Sequence, residues 1–270
     1  RPHCPSAPKC RKVHCPCIEG RVTFNPASPL NEVQQTSGHP LGRMGSGYGS
    51  ECHLLRFLGR HRKLLNQTVA DVVGAEEVDW LDYPFDPEDE WRDGEWKGLA
   101  FLREDAVVQQ AWRDAWPARG NPPNWDAVGR VRIGSAWEWL LVEAKANLEE
   151  LSSSCQAKKE GGRSLIESTL SMSKQKLGVD ADRDWLNGFY QYCNRVAVLS
   201  FLQDQGIPAR LLFVYFTGDR SGPGRTCPQD VEGWAPVLRA QTEHVGLPVV
   251  HPLKDRIHRT FVPVVPLLRE

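Results

Sequence analysis

Hydrophobic and polar positions alternate along the chain with two spacings, and each spacing predicts a different kind of element. After Ser50, leucines recur at intervals of three and four residues, which predicts a helix over residues 51–67 with Ser50 as its N-cap. The same helical spacing predicts further helices over residues 103–116, 164–177, 185–205 and 231–243. The helix over residues 185–205 has a sharp end, because Gly206 and Pro208 follow it.

Short apolar runs predict the strands. Residues 211–216 are apolar without interruption, which is typical of a strand covered on both faces. Residues 78–85 predict a first strand. Residues 259–267 predict an edge strand, because Pro263 and Pro266 have no N–H to donate to a neighbour. Together with the helices, these strands predict an α/β fold of the α+β type, a mixed sheet with helices on both faces.

A hairpin is predicted where two strand-like runs flank the dipeptide Gly134-Ser135. Glycine at the first position of a two-residue loop suits a type II′ turn. Residues 126–133 then form one strand and residues 136–147 the next. A two-residue loop fixes the register, so it also fixes which side chains face each other farther along the hairpin.

Counting outward from this turn places Asp126 directly opposite Glu143. Side chains alternate faces along a strand, so Lys145 shares a face with Glu143. Two carboxylates directly opposite each other repel, and a bound cation between them would relieve that repulsion. The alternative is a surface hairpin whose polar end is neutralised by Lys145. The apolar Trp139 and Leu141 on the same face argue against this alternative.

The first residues of the chain differ from the rest. Residues 1–43 contain seven of the 20 prolines and show neither helical nor strand spacing, and Met44 is the first methionine. We therefore expect a disordered Pro/Cys-rich leader over residues 1–43 and a single folded domain over residues 44–270. A chain of 270 residues is long enough for one such domain with a sizeable core.

The eight cysteines form two groups of four. The scattered group is expected to be reduced thiols; it comprises Cys52, Cys155, Cys193 and Cys227. The group in the leader could form a zinc site; it comprises Cys4, Cys10, Cys15 and Cys17. Their spacings differ from the usual Cys-x2–4-Cys pattern, so we expect no zinc there.

Charge and hydropathy narrow the class of protein. The formal net charge of −1 argues against a protein whose whole surface is basic and binds nucleic acid. Any contact with nucleic acid must therefore come from a local basic patch. No apolar stretch approaches the roughly 20 residues that span a bilayer, and the first residues lack a secretory pattern. We expect a cytoplasmic protein without a membrane partner; the oligomeric state is not predicted.

The tripeptide Glu-x-Lys is by itself a weak signal, because the chain contains a second copy, Glu95-Trp96-Lys97, outside any predicted strand. An apolar strand that ends in Glu143-Ala144-Lys145, with an acid across the hairpin, is much more specific.

These residues resemble the PD-(D/E)XK, or restriction-endonuclease-like, nuclease superfamily, in particular a bacterial branch of it. The resemblance covers about residues 48–217 and implies a core of helix, three-strand meander, helix and strand. Asn124-Trp125-Asp126 matches the acidic motif that begins the second strand, and Glu143-Ala144-Lys145 matches the (D/E)-x-Lys motif that ends the third. The proline of the name is displaced, since Pro123 lies three residues ahead of Asp126.

The resemblance implies a site for Mg²⁺ or Mn²⁺, with Asp126, Glu143 and the Ala144 carbonyl as metal ligands. Such a metal lowers the pKa of a bound water and stabilises charge on the scissile phosphate. Lys145 would position the attacking water, because two neighbouring carboxylates raise the pKa of a lysine. Glu51 is the candidate for a further catalytic acid on the first helix; alternatively, it is a first-turn carboxylate that stabilises the helix dipole.

Asn187, Gln191 and Asn194 follow one another at spacings of four and three residues, which predicts a polar stripe on the helix over residues 185–205. The resemblance implies that this helix packs beside the site and supports it. A solvated helix face is the alternative.

The leading functional hypothesis is therefore divalent-metal-dependent phosphodiester hydrolysis of nucleic acid, with DNA as the expected substrate. The first alternative is a non-catalytic module that keeps the nuclease fold and binds nucleic acid or a protein. The second is an enzyme of unrelated chemistry whose hairpin imitates the motif. The complete set of Asp126, Glu143 and Lys145 favours catalysis, because a binding module does not need opposed carboxylates.

Overall fold

The computed structural model describes residues 47–83, 85–86, 92–118 and 122–265. The predicted leader, residues 1–43, and the four cysteines considered for zinc lie outside these ranges. The disorder of the leader, the domain boundary and the absence of zinc therefore stay predictions.

A mixed sheet lies at the centre of the described structure. The strands in chain order are β1 (Glu77–Trp80), β2 (Phe85–Asp86), β3 (Arg92–Asp93), β4 (Trp96–Lys97), β5 (Asn124–Trp125), β6 (Ala127–Ile133), β7 (Ala136–Lys145), β8 (Ala209–Thr217) and β9 (Ile257–Pro263). The main sheet has the order β1-β6-β7-β8-β9, while β2 pairs with β3 and β4 with β5. The β1–β6 and β6–β7 pairs are antiparallel, and the β7–β8 and β8–β9 pairs are parallel. The predicted mixed sheet is confirmed.

The helices flank this sheet. The α-helices of the described ranges are α1 (Ser50–Arg60), α2 (Arg62–Val73), α3 (Ala106–Ala115), α4 (Arg163–Leu177), α5 (Tyr190–Asp204) and α6 (Val231–Val245). Short 3₁₀ helices span Ala100–Leu102, Leu148–Leu151, Lys159–Gly161 and Lys254–Arg256. Within the described part of the chain, no helix combines the length and apolar character needed to cross a bilayer.

Two helix boundaries differ from the prediction. The first predicted helix breaks at His61 and continues as α2, and its N-cap is Gly49 rather than Ser50. Gly49 can take this place because its φ of 94° suits glycine, and its N–H donates to the Asp219 carboxylate at 2.9 Å. The predicted helix over residues 185–205 begins only at Tyr190.

The hairpin register is confirmed. Val128 pairs with Leu141 and Arg130 with Trp139, and Gly134 has the positive φ, 58°, that the turn requires. Strand β6 begins at Ala127, one residue later than predicted. The Asp126 N–H donates at 3.1 Å to the carbonyl of Val142, which is already the partner of Ala127. The regular pairing therefore ends at Ala127, and the predicted direct pairing of Asp126 with Glu143 is not part of the observed register.

The two faces of the sheet are covered by different helices. Leu140, Val142 and Ala144 of β7 lie in a buried cluster with α1 and α2. Leu141 and, less deeply, Trp139 pack in the cluster that contains α3, α4, α5 and α6. The alternation along β7 therefore directs Glu143 and Lys145 toward the second group of helices.

The remaining strands agree in position with the sequence pattern. Residues 211–216 of β8 are all buried, and β9 is an edge strand, as predicted. The first strand is shorter than predicted, since β1 ends at Trp80 and not at residue 85.

Candidate active site

The hairpin end places three of the predicted site residues together. Asp126 precedes β6, Glu143 and Lys145 end β7, and all three line an open cleft of about 710 Å³. One carboxylate oxygen of Asp126, Oδ2, accepts the Ala144 N–H at 2.7 Å. This hydrogen bond fixes the Asp126 carboxyl beside the end of β7, where the register predicted it.

Glu143 is only 3 % exposed and pairs with two cations. Its Oε1 lies 2.6 Å from Lys145 Nζ, and its Oε2 lies 2.8 Å from Arg195 Nε. Buried carboxylates require such partners, because an isolated charge in a protein interior is strongly unfavourable. Both Glu143 oxygens are therefore engaged.

The two carboxyl groups differ in their protonation. Burial, followed by the charge of Glu143, raises the pKa of Asp126 to about 7. Burial by itself would also raise the pKa of Glu143, but Arg195 and Lys145 together bring it below its usual value. Glu143 therefore carries the negative charge near neutral pH, and Asp126 gives up its proton only around pH 7.

Lys145 remains an ammonium group. Burial lowers its pKa, but the charges of Glu143 and Asp126 outweigh burial, so the pKa of Lys145 lies above its ordinary value. Its Nζ also donates to Gln191 Oε1 at 3.0 Å. A lysine in this state acts through charge and hydrogen bonding and not as a base.

Two members of the predicted polar stripe support the site, and the third does not. Gln191 and Asn194 of α5 line the cleft, and Asn194 Oδ1 accepts from Arg195 at 2.8 Å. Asn187 precedes α5 and donates to Asp184 at 2.9 Å. The Asp184 carboxylate also binds the Asn187 N–H, so the chain turns here and the helical spacing does not apply.

Glu51 is half-buried in the first turn of α1 and does not line the cleft, whereas Ser50 does. The buried stripe of α1 includes Leu54 and Phe57. Ser50 lies four residues before Leu54 and seven before Phe57, so it shares their face of the helix. Glu51 is one residue farther along and is therefore rotated about 100° away from that face. Glu51 therefore lies outside the lining of the cleft, and its role as a catalytic acid stays a prediction. Glu95 and Glu150 are further acids of the cleft lining.

Sequence reasoning missed Arg195, which is 5 % exposed. Its guanidinium carbon lies 5.0 Å from the centre of the Trp125 ring, in addition to its contact with Glu143. An arginine followed directly by the apolar run 196–199 was the available signal, since a buried arginine requires an acidic partner.

The donor chemistry of this site fits a hard divalent cation. Mg²⁺ commonly uses one or two protein carboxylates and completes its shell with water. The Ala144 N–H donates to Asp126. The N–H and the carbonyl of one strand residue point to the same side of the strand, so the Ala144 carbonyl also points toward Asp126. Glu143 would have to exchange a cationic partner for the metal. Among the described residues there is no group of three His, Cys, Asp or Glu side chains arranged for a metal ion.

Comparisons with known proteins assign no relative. The chain matches no family model, no curated protein and no solved structure. The chemistry of the cleft is therefore the basis for a functional proposal.

Proposed function

We propose that this chain hydrolyses phosphodiester bonds of nucleic acid with a divalent cation, Mg²⁺ or Mn²⁺, and that DNA is its substrate. The observation that carries the proposal is the pair of neighbouring carboxyl groups in the cleft, half-buried Asp126 and buried Glu143, together with Lys145, which pairs with Glu143. Like charges held close together are unfavourable, and perturbed pKa values of this kind are concentrated at functional sites.

The order of elements supports a restriction-endonuclease-like core. Helices α1 and α2 precede three antiparallel strands, β1, β6 and β7, and α4 and α5 precede β8, which lies parallel to β7. This is the sequence of helix, meander, helix and strand that the PD-(D/E)XK resemblance implies. The acidic motif and the Glu-x-Lys motif occupy the ends of the second and third of these strands, where the resemblance implies them.

Each residue of the set has a distinct role in this proposal. Asp126, the Ala144 carbonyl and Glu143 would bind the cation, which supplies an acidified water and charge stabilisation at the phosphate. Lys145 remains protonated, so it orients the water and neutralises the phosphate. Gln191 fixes the ammonium group of Lys145, and Arg195 fixes Glu143.

One observation favours the alternative, a non-catalytic module that binds nucleic acid or a protein. Lys145 and Arg195 already neutralise Glu143, so a metal is not required for the charge of this carboxylate. In this alternative the cleft keeps the shape of a nuclease site and uses its cations to contact phosphate groups.

Metal binding and cleavage distinguish the two functions. We expect calorimetry to detect Mg²⁺ or Mn²⁺ binding by the wild type, and labelled DNA to be cleaved only with the metal present. Asp126→Asn should lose both activities. Asp79→Asn is the matched control, because Asp79 is an exposed acid on β1 that pairs with Arg130 outside the cleft.

The contrary outcomes are clear. A wild-type chain that binds neither cation, even with a DNA oligonucleotide present, would refute the proposed hydrolysis. Metal-independent DNA binding without cleavage of DNA or of an RNA of the same sequence would establish the binding module. Cleavage of the RNA alone would retain the reaction and correct the substrate.

A further inference from the structure

A second cavity, of about 200 Å³, lies between α5, α6 and the strands β8 and β9, and it shares no lining residue with the cleft. It occupies the same face of the sheet, because Phe213 and Tyr215 of β8 are the register partners of Glu143 and Lys145. Helix α5 separates the two, with Gln191 on the cleft and Tyr192 on the cavity.

Aromatic surface forms one wall of this cavity. The rings of Tyr192 and Phe213 are stacked, with centroids 4.5 Å apart and an interplanar angle of 17°. Both residues line the cavity. Nucleobases stack on aromatic side chains of this kind.

Two polar side chains of the cavity lining are largely buried. They are Gln241, which is 7 % exposed, and Tyr215, which is 2 % exposed. The Gln241 amide offers a donor and an acceptor side by side, which complements the edge of a nucleobase.

The rim of the cavity is cationic. Lys254 and Arg259 line it and are exposed, and no Asp or Glu is found among the described residues of its lining. Arg259 is the register partner of Phe213, so its side chain projects from the same sheet face as the aromatic wall. A ligand that reaches both regions therefore combines a flat ring with an anionic group.

The size of the cavity limits the ligand further. A volume of about 200 Å³ corresponds to roughly seven water molecules at about 30 Å³ each, which suits a base but not a whole nucleotide. We propose that this cavity binds a nucleoside 5′-monophosphate, with its base against Tyr192 and Phe213, its base edge at Gln241, and its phosphate at Arg259 and Lys254. The site is separate from the cleft, so the proposal does not depend on the proposed hydrolysis.

Calorimetry of the full chain in EDTA tests this site without metal chemistry. The probes are the four common nucleoside 5′-monophosphates, their nucleosides, inorganic phosphate and benzoate. We expect at least one monophosphate to bind more tightly than its nucleoside, and phosphate and benzoate to bind more weakly. Benzoate carries a ring and a charge but lacks the donor–acceptor edge that the Gln241 amide would recognise.

Variants separate the two halves of the ligand. Arg259→Ala should weaken binding of the monophosphate about tenfold and leave the nucleoside unchanged, because the guanidinium contacts only the phosphate. Gln241→Leu should weaken binding of the monophosphate and binding of the nucleoside by a similar factor. Arg239→Ala is the matched control, since Arg239 is an exposed arginine of α6 outside the cavity lining.

The proposal fails if no monophosphate binds, or if Arg259→Ala and Gln241→Leu both bind it as the wild type does. Equal affinity for phosphate alone would refute the role of the ring, and equal affinity for benzoate would refute recognition of a base edge. Asp126→Asn should bind the monophosphate normally, so a failure of the proposed hydrolysis leaves this result unaffected.

Discussion

The two ends of the β6–β7 hairpin differ in the charges they bring together: an acid and a base near the turn, and two acids at the open end. Near the turn, Arg130 of β6 lies directly opposite Asp79 of β1, and their side chains form an exposed ion pair at 2.7 Å. At the other end, the half-buried carboxyl group of Asp126 lies close to the buried carboxylate of Glu143, whose charge raises the pKa of Asp126. Opposite charges are the stabilising choice across strands, so only the exposed end follows the rule for stability.

This difference indicates what each end is for. The exposed pair can form and break with little consequence, because water solvates both groups. The buried Glu143 carboxylate depends on two cations, Lys145 of β7 and Arg195 of α5, and the neighbouring Asp126 carboxyl retains a strongly raised pKa. Two neighbouring acids lower the stability of the fold, and yet several partners hold them in place. Such a combination is typical of a functional site.

The largest expected effect comes from removal of the central buried charge. Glu143→Ala leaves Lys145 and Arg195 without their carboxylate, so we expect the free energy of unfolding to fall by about 3–5 kcal/mol. Asp79→Ala, the corresponding change at the exposed end, should lower it by no more than about 1 kcal/mol. Urea denaturation of both variants measures the difference. Equal effects would show that the two ends do not differ as described.

A change of the opposite sign is expected at Asp126. The carboxyl loses its proton near its ordinary pKa of 3.8 in the unfolded chain, but only near pH 7 in the folded one. Between these values the folded state binds more protons, so this group makes stability fall as pH rises, and the full penalty applies above pH 7.

Asp126→Asn removes that penalty. In EDTA at pH 8 we expect the variant to be more stable than the wild type by up to about 4 kcal/mol, and at pH 4 to have the same stability. Urea denaturation at the two pH values checks this. A variant that is less stable than the wild type at pH 8 would contradict the raised pKa.

A bound cation should stabilise the buried end alone. At a Mg²⁺ concentration one hundred times the dissociation constant, we expect a gain of about 2.7 kcal/mol in the free energy of unfolding of the wild type. Asp126→Asn should show no gain, while Asp79→Asn should gain as much as the wild type. Thermal unfolding with Mg²⁺ and with EDTA provides the measurement. An equal gain in all three proteins would mean that the cation binds elsewhere.

The exposed and buried ends also differ in how far the sequence predicts them. The hairpin register followed from Gly134-Ser135 and the strand alternation, because both are local properties, and the structure has this register from Ile133–Ala136 to Ala127–Val142. The predicted Asp126–Glu143 pair lies one step beyond it, where the Asp126 N–H turns to the Val142 carbonyl. Arg195 lies 52 residues from Glu143 in the chain, and only the packing of α5 on the sheet brings the two together.

The helix boundaries show the same limit. Asn187 fitted a helical spacing, but the Asp184 carboxylate turns the chain before α5 begins. Glu51 fitted the apolar stripe of its helix, yet Phe57 contributes to that stripe and shifts its centre toward Ser50. Apolar spacing shows neither a local bond from a side chain to the backbone nor a one-residue shift in the buried face of a helix.

The smallest expected effect is the coupling between Arg130 and Asp79 at the exposed end of the hairpin. A double-mutant cycle on Arg130 and Asp79 should give a coupling free energy below about 1 kcal/mol, and 1 M salt should remove most of it, because the Debye length is then only about 3 Å. The same cycle on Glu143 and Arg195 should give a larger coupling that salt changes little, since both groups are buried. If salt weakened the two couplings equally, water would reach Glu143 as freely as it reaches Asp79. Asp126 and Glu143 would then be ordinary polar residues at the end of a surface hairpin, and no bound cation would be needed to account for them.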